Sequence, residues 1–186
     1  AAFGGGGLFD WGSHFVDQLW RLLWPSRPKQ VFAQLRGNVW SSDCDDFARV
    51  CINFDNGVLG LVEINTTTTR PLPRWHIDGS AGSAQSPFSL EFDTRIWAQL
   101  EFAPAMAPEG FLSADGAPAA GALRTPEAGL SEVQIWERFC AAARGEGLAA
   151  VSAASVLPTM ALLDAARESS DKGTAVDVSN VVEWVY

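Results

Sequence analysis

The sequence predicts an α+β fold: an open, mostly antiparallel sheet with helices packed on one face, and no Rossmann domain in this chain. Three observations carry that expectation. Helical periodicity sits at both ends of the chain, strand patterning fills the middle, and Asp55-Asn56-Gly57 separates two apolar runs at hairpin spacing.

The first helix follows a glycine run, Gly4 to Gly7, and closes near Trp24-Pro25. At 100° per residue, positions 10, 14, 17 and 21 share a narrow arc, while Phe15, Val16, Leu19, Leu22 and Leu23 gather opposite. Lys29 to Leu35 alternates as a strand. Asp46 to Phe54 and Val58 to Asn65 flank the Asn-Gly turn, whose residues accept the positive φ of a tight hairpin, and Thr66 to Thr69 extend the second strand with β-branched residues. Arg74 to Asp78 is a further strand closed by Gly79-Ser80-Ala81-Gly82, and Phe88 to Phe92 with Arg95 to Phe102 reads as a second hairpin.

Beyond it the composition shifts. Residues 103–130 are rich in Ala, Pro and Gly without periodicity, which predicts a long surface loop. Ser131-Glu132-Val133-Gln134 fits a capping box that opens a helix to about Arg144, with Gly145 as its C-cap. Ser152 to Ser170 is the next helix, carrying Pro158 in its first turns, and Val176 to Val185 a final strand.

Length and charge narrow the function. The 186 residues suit one substrate-binding or dimerisation domain, and a start at Ala1-Ala2-Phe3 suits a piece of a longer protein. A formal charge of −9 without a basic stripe disfavours nucleic acid and anionic membrane as partners. No apolar run reaches the ~20 residues of a membrane span. Cys44, Cys51 and Cys140 form an odd set with no C-x-x-C, which fits reduced thiols and a cytoplasmic location, with Cys51 in a strand and Cys140 in a helix as core or near-core fillers.

The chemistry-bearing constellation is Asp10, His14 and Asp17. An imidazole with an unperturbed pKa of ~6.5 gives and takes protons near neutrality, and flanking carboxylates orient it. The same residues also suit the solvated face of an amphipathic helix, with Asp17 and Arg21 paired at i,i+4. A metal site is disfavoured, since three ligands on one straight helical face converge poorly on a tetrahedral ion. A second candidate is Arg70-Pro71-Leu72-Pro73-Arg74-Trp75-His76, where Arg74 and His76 can meet a carboxylated or hydroxylated substrate. Alternatively the prolines end a strand and Trp75 caps the core. Trp11, beside His14, is a candidate for stacking on a sugar.

The run GGGGLFDWGSHFVDQLW resembles the helix that opens the substrate half of the glucose-fructose oxidoreductase / inositol dehydrogenase (Gfo/Idh/MocA) family, where a glycine run precedes D-x-x-x-H-x-x-D. DDFARVCINFDNGVLGLVEI, RPLPRWHIDGSAGS and VLPTMALLDAARESSDKG continue the resemblance in order. It implies the C-terminal domain of an NAD(P)-dependent oxidoreductase that moves a hydride to or from a sugar, cyclitol or related polyol. His14 is then the acid/base, Asp10 a substrate hydroxyl acceptor, and Asp17 the support for the imidazole. The family's partner lysine lies in an E-K-P motif of a nucleotide-binding domain, and that motif is not in this sequence. NAD or NADP is accordingly expected to be bound mainly by a domain absent from this chain, leaving the chain alone inactive. The one approximate match to G-x-G-x-x-G, Gly145 to Ala150, follows a helical run instead of a strand.

Two functional classes remain: the catalytic half just described, and a non-catalytic binding or dimerisation module of the same fold. In both, apolar residues at both parities of the central strands predict a homo-oligomer through the open sheet face. The same resemblance implies that this face pairs subunits.

Overall fold

The structure, a computed structural model, describes residues 5–37, 39–40, 42–87, 99–104, 123–124 and 129–180. It divides into two compact units, one formed by residues 1–68 with 134–186 and the other by residues 69–133.

The first unit is built on a four-stranded antiparallel sheet in the order β3-β2-β1-β8, where β1 is Pro28–Arg36, β2 Phe47–Phe54, β3 Leu59–Asn65 and β8 Val176–Asp177. The Asn-Gly hairpin forms as its sequence requires, with Gly57 at φ 84° and Asn56 Oδ1 accepting from the Val58 N–H. Strict alternation then buries one face: Val31, Ala33, Ala48, Val50, Ile52, Phe54, Val62 and Ile64 point into the core. Against them pack Leu8, Val16 and Trp20 from the N-terminal helices and Leu162, Leu163, Ala165 and Ala166 from a C-terminal helix. The opposite face leaves Phe32, Leu59 and Leu61 exposed, so among the described residues helices cover one side only.

The expected first helix is two: α1, Gly7–Asp10, and α2, Gly12–Leu22. The break is local chemistry at Trp11. Ser13 Oγ donates to the Asp10 carbonyl at 2.8 Å, and the His14 N–H turns to the Trp11 carbonyl, three residues back. The buried stripe of α2 is Gly12, Val16 and Trp20, while Leu22 is 56% exposed, which corrects its placement on the apolar side. Trp20 occupies the core position because its indole finds a polar partner there.

Strand β3 ends at Asn65, earlier than the threonine run suggested. Asn65 Oδ1 accepts from Thr67 N–H and Oγ1, while Thr66 bonds to the Asp46 carbonyl, so local side-chain bonding outcompetes the β-ladder. The C-terminal helices are α3, Glu132–Ala143, and α4, Ala153–Lys172, which runs two residues beyond its expected end. Gly145 at φ 76° follows α3, its N–H bonding back to Ala142, which supports its reading as a C-cap. Ser152 caps α4 by accepting from Ser155 N–H, and Gly173 closes it at φ 67°. Strand β8 pairs only with Gln30 and Val31, and beyond it two serines of α4 satisfy β1: Ser169 Oγ accepts from Ala33 N–H and Ser170 Oγ from Leu35 N–H.

The second unit holds its own antiparallel sheet, β4-β5-β6-β7, with β4 at His76–Gly79, β5 at Gly82–Gln85, β6 at Leu100–Pro104 and β7 at Leu123–Arg124. The expected single sheet is therefore two ladders. Within the stretch expected as loop, β6 closes at Pro104 and Leu123–Arg124 pairs with it; residues 105–122 and 125–128 lie outside the described residues. So do 88–98, which hold most of the second expected hairpin, and 181–186, the end of the last expected strand.

Candidate functional site

The glycine run places the site helices through one contact. Asp45, in the loop before β2, accepts the Gly7 N–H on its backbone oxygen at 2.8 Å and the Leu8 N–H on its carboxylate at 2.7 Å. A Cβ on Gly6 would lie closer than 3.0 Å to the Asp45 backbone and carboxylate, so a side chain there has no room. Gly6 has φ −80°, an ordinary value; the requirement is space. Gly12 is similarly confined, since its Cβ would meet Ile64 at 3.2 Å and Leu8 at 3.3 Å. Gly60 lets α2 approach β3, for a Cβ there would sit 2.6 Å from Leu19 Cδ2.

On this base the three sequence-picked residues take different positions. Asp10 ends α1 and His14 lies in the first turn of α2, both exposed. Among the described residues neither the Asp10 carboxylate nor the His14 imidazole has a hydrogen-bond partner. Trp11 stands beside His14 with ring centroids 6.5 Å apart and packs on Phe15 at 5.8 Å. Asp17 is different. Its Oδ2 accepts from Arg21 Nε at 2.7 Å and its Oδ1 from Thr159 Oγ1 at 2.7 Å, so both oxygens are spoken for within the protein. The i,i+4 pair expected of a solvated face is present, half-buried and reinforced by α4.

Thr159 was not legible as a site residue from motif spacing. Its one signal is a hydroxyl interrupting the apolar run Leu157 to Leu163 on a helix face that faces the core. Asp45 left no signal beyond an acidic pair ahead of a strand.

In the second unit, Arg74 and His76 belong to the approach and start of β4. His76 Nε2 lies 3.0 Å from Asp78 Oδ2 and Nδ1 lies 3.2 Å from Gln85 Oε1, while Ser83 Oγ donates to Asp78 Oδ1 at 2.6 Å. The hydroxyl of Ser83 holds the Asp78 carboxyl below its ordinary range; desolvation opposes it, and the charge and hydrogen bond of His76 add smaller lowering effects. Burial lowers the Arg74 pKa. Trp75 exchanges two bonds with the buried Ser86, donating its N–H to Oγ at 3.0 Å and accepting at its carbonyl at 2.9 Å. Both bonds use the Trp75 backbone, and its side chain is part-buried.

Among the described residues no group of three or more His, Cys, Asp and Glu side chains converges as a metal site, and no helix is long and apolar enough to cross a membrane. Gly145 to Ala150 follows α3 instead of linking a strand to a helix, so this stretch is not a strand–turn–helix phosphate loop.

Residues 1–85 match the family model described as the GFO/IDH/MocA C-terminal domain. Among solved structures, an NAD-binding protein from Listeria innocua is 27% identical with a TM-score of 0.72, the match covering 95% of this chain and 48% of that one. Levoglucosan dehydrogenase, solved with NADH and L-sorbose, is 24% identical with a TM-score of 0.63, over 94% of this chain and 50% of that one. An oxidoreductase from Agrobacterium radiobacter, solved with NAD+, L-tartaric acid and magnesium, is 17% identical with a TM-score of 0.60, over 94% and 50%. No curated protein matches. The chain spans about half the length of the solved structures it matches, and its mixed helix and antiparallel-sheet architecture is that of the Gfo/Idh/MocA C-terminal domain.

Proposed function

We propose, from the Gfo/Idh/MocA C-terminal domain matched by residues 1–85, that this chain is the substrate-binding half of an NAD(P)-dependent oxidoreductase acting on a sugar, cyclitol or related polyol. The observation that carries the reading is the exposed pair Asp10 and His14, whose side chains make no hydrogen bond among the described residues, on helices whose other face is buried. A helix anchored on one side and chemically open on the other holds an acid/base in place while leaving it accessible to substrate.

In this reading His14 takes or returns the proton of the reacting hydroxyl, at whichever ring nitrogen faces it. Asp10 accepts from a neighbouring hydroxyl and so orients the polyol. Trp11 offers an apolar ring beside the imidazole; Arg74 and His76, in the second unit, are separate candidates for substrate binding. Asp17, engaged by Arg21 and Thr159, supports His14 through the helix instead of through the ring. The nicotinamide cofactor is bound mainly by a nucleotide-binding half; two solved structures of about twice this length, one carrying NAD+ and one NADH, support that division. We place the enzyme in the cytoplasm and as a homo-oligomer through the open sheet face. The exposed Phe32, Leu59 and Leu61 support that pairing, and they equally suit the second reading, a dimerisation module without catalysis.

The two readings part on one experiment. In the enzyme that joins this chain to a nucleotide-binding half, assayed for nicotinamide reduction over a polyol panel, His14→Ala lowers kcat by ~10²-fold or more with its circular dichroism unchanged. Asp10→Asn raises KM and lowers kcat. Wild-type rates in both variants make these residues a solvated helix face and overturn the catalytic reading.

A further inference from the structure

We infer that Thr159 is a positioning residue for the site helix: its buried hydroxyl joins Trp20 to Asp17 and so sets the register of α2 against α4. The inference rests on the catalytic reading above. Thr159 is 3% exposed. Its Oγ1 accepts from Trp20 Nε1 at 2.9 Å and donates to Asp17 Oδ1 at 2.7 Å. An indole N–H can only donate and a carboxylate can only accept, so the single hydroxyl proton of Thr159 is directed onto Asp17. A second tie runs one turn away on α4, where Arg21 Nη2 donates to the Ser155 carbonyl at 2.9 Å while Nε holds Asp17.

These ties act on the part of α2 that carries His14. Asp17 is three residues from His14, and Trp20 and Arg21 are one turn further on. The apolar contacts of Val16 and Trp20 bury area without fixing a register, since burial is non-directional. Directed hydrogen bonds across 142 and 139 residues of sequence do fix it. Asp10 is moored separately, on α1 through Asp45. Loosening the Thr159 tie therefore displaces His14 while leaving the Asp10 contact in place. Turnover should fall and substrate binding should hold.

The test uses the enzyme joined to its nucleotide-binding half. Thr159→Val keeps the side-chain shape and removes the hydroxyl; it is expected to lower kcat by ~10-fold or more with KM changed less than about twofold, since small misplacements of a reacting group cost rate steeply. Thr159→Ser, which keeps the hydroxyl, restores kcat to within about threefold of wild type. In 1H–15N spectra the Trp20 indole proton loses its protection from exchange in Thr159→Val and keeps it in Thr159→Ser. Where Thr159→Val does not fold, Arg21→Ala, at a part-buried position, severs the second tie and lowers kcat by about threefold or more at unchanged KM. A folded Thr159→Val with wild-type kcat, or a folded Arg21→Ala with wild-type kcat, overturns the inference. His14→Ala run alongside separates the two levels: if it retains turnover, the catalytic reading fails and this inference with it, whereas an impaired His14→Ala beside a fully active Thr159→Val refutes the positioning role alone.

Discussion

Gly6→Ala should destabilise the first unit by about 2–3 kcal/mol. The methyl cannot share space with Asp45, so either the glycine run or the loop before β2 must move. Two hydrogen bonds go with that movement. The Leu8 N–H to Asp45 carboxylate bond, at 2.7 Å and part-buried, has a charged acceptor and contributes ~1.5–3 kcal/mol; the Gly7 N–H to Asp45 carbonyl bond, at 2.8 Å, contributes ~1 kcal/mol. The reduced freedom of the unfolded chain returns ~0.4–1 kcal/mol, because the φ of Gly6 is one that alanine accepts. In urea, with a slope of ~1–3 kcal/mol per M for a chain of this size, the midpoint falls by about 1 M or more at unchanged slope. Asp45→Ala removes only the carboxylate bond and keeps the backbone one, so it costs less than Gly6→Ala. The double variant costs little more than Gly6→Ala alone, since both act on one contact. A Gly6→Ala midpoint within about 0.3 M of wild type, or a double variant in which the losses add, refutes the claim that close approach to Asp45 is what holds α1 in place.

Two further outcomes follow from exposed features. On the open face of the first sheet, Phe32, Cys51 and Leu61 form one cross-strand row, with Leu59 beside it; light scattering at tens of micromolar is expected to show a dimer or larger assembly, with an interface above ~1,200 Å². Phe32→Asp with Leu61→Asp shifts it to monomer at unchanged circular dichroism, and a monomeric wild type refutes the pairing. In the second unit, the lowered Asp78 pKa means that its contribution is present above the ordinary carboxylate range and is lost as pH falls through the folded value. Ser83→Ala should raise the Asp78 midpoint in a carbon-detected NMR titration by more than His76→Ala does, and the reverse order refutes the assignment of the hydroxyl as the main cause.

The sequence by itself determined what local stereochemistry and periodicity control. Alternation from Ala48 to Phe54 specified which side chains face the core, Asn56-Gly57 specified the hairpin, and Gly145 specified the end of α3, because side-chain parity and positive φ depend only on a few neighbouring residues. The D-x-x-x-H-x-x-D spacing likewise put Asp10 and His14 on exposed positions. Local side-chain bonding overrode the pattern twice, where Trp11 breaks the helix that uniform periodicity drew through it and Asn65 stops a strand that β-propensity extended. Tertiary structure decided the rest, beginning with the expected single sheet, which is two ladders. The allegiance of Asp17 is the sharpest case. Its spacing suits an imidazole, an arginine or solvent equally, and the choice fell to Arg21 and a threonine 142 residues away. A carboxylate that leaves water takes the donors that folding brings within reach, and which donors those are depends on how α2 and α4 pack on the sheet.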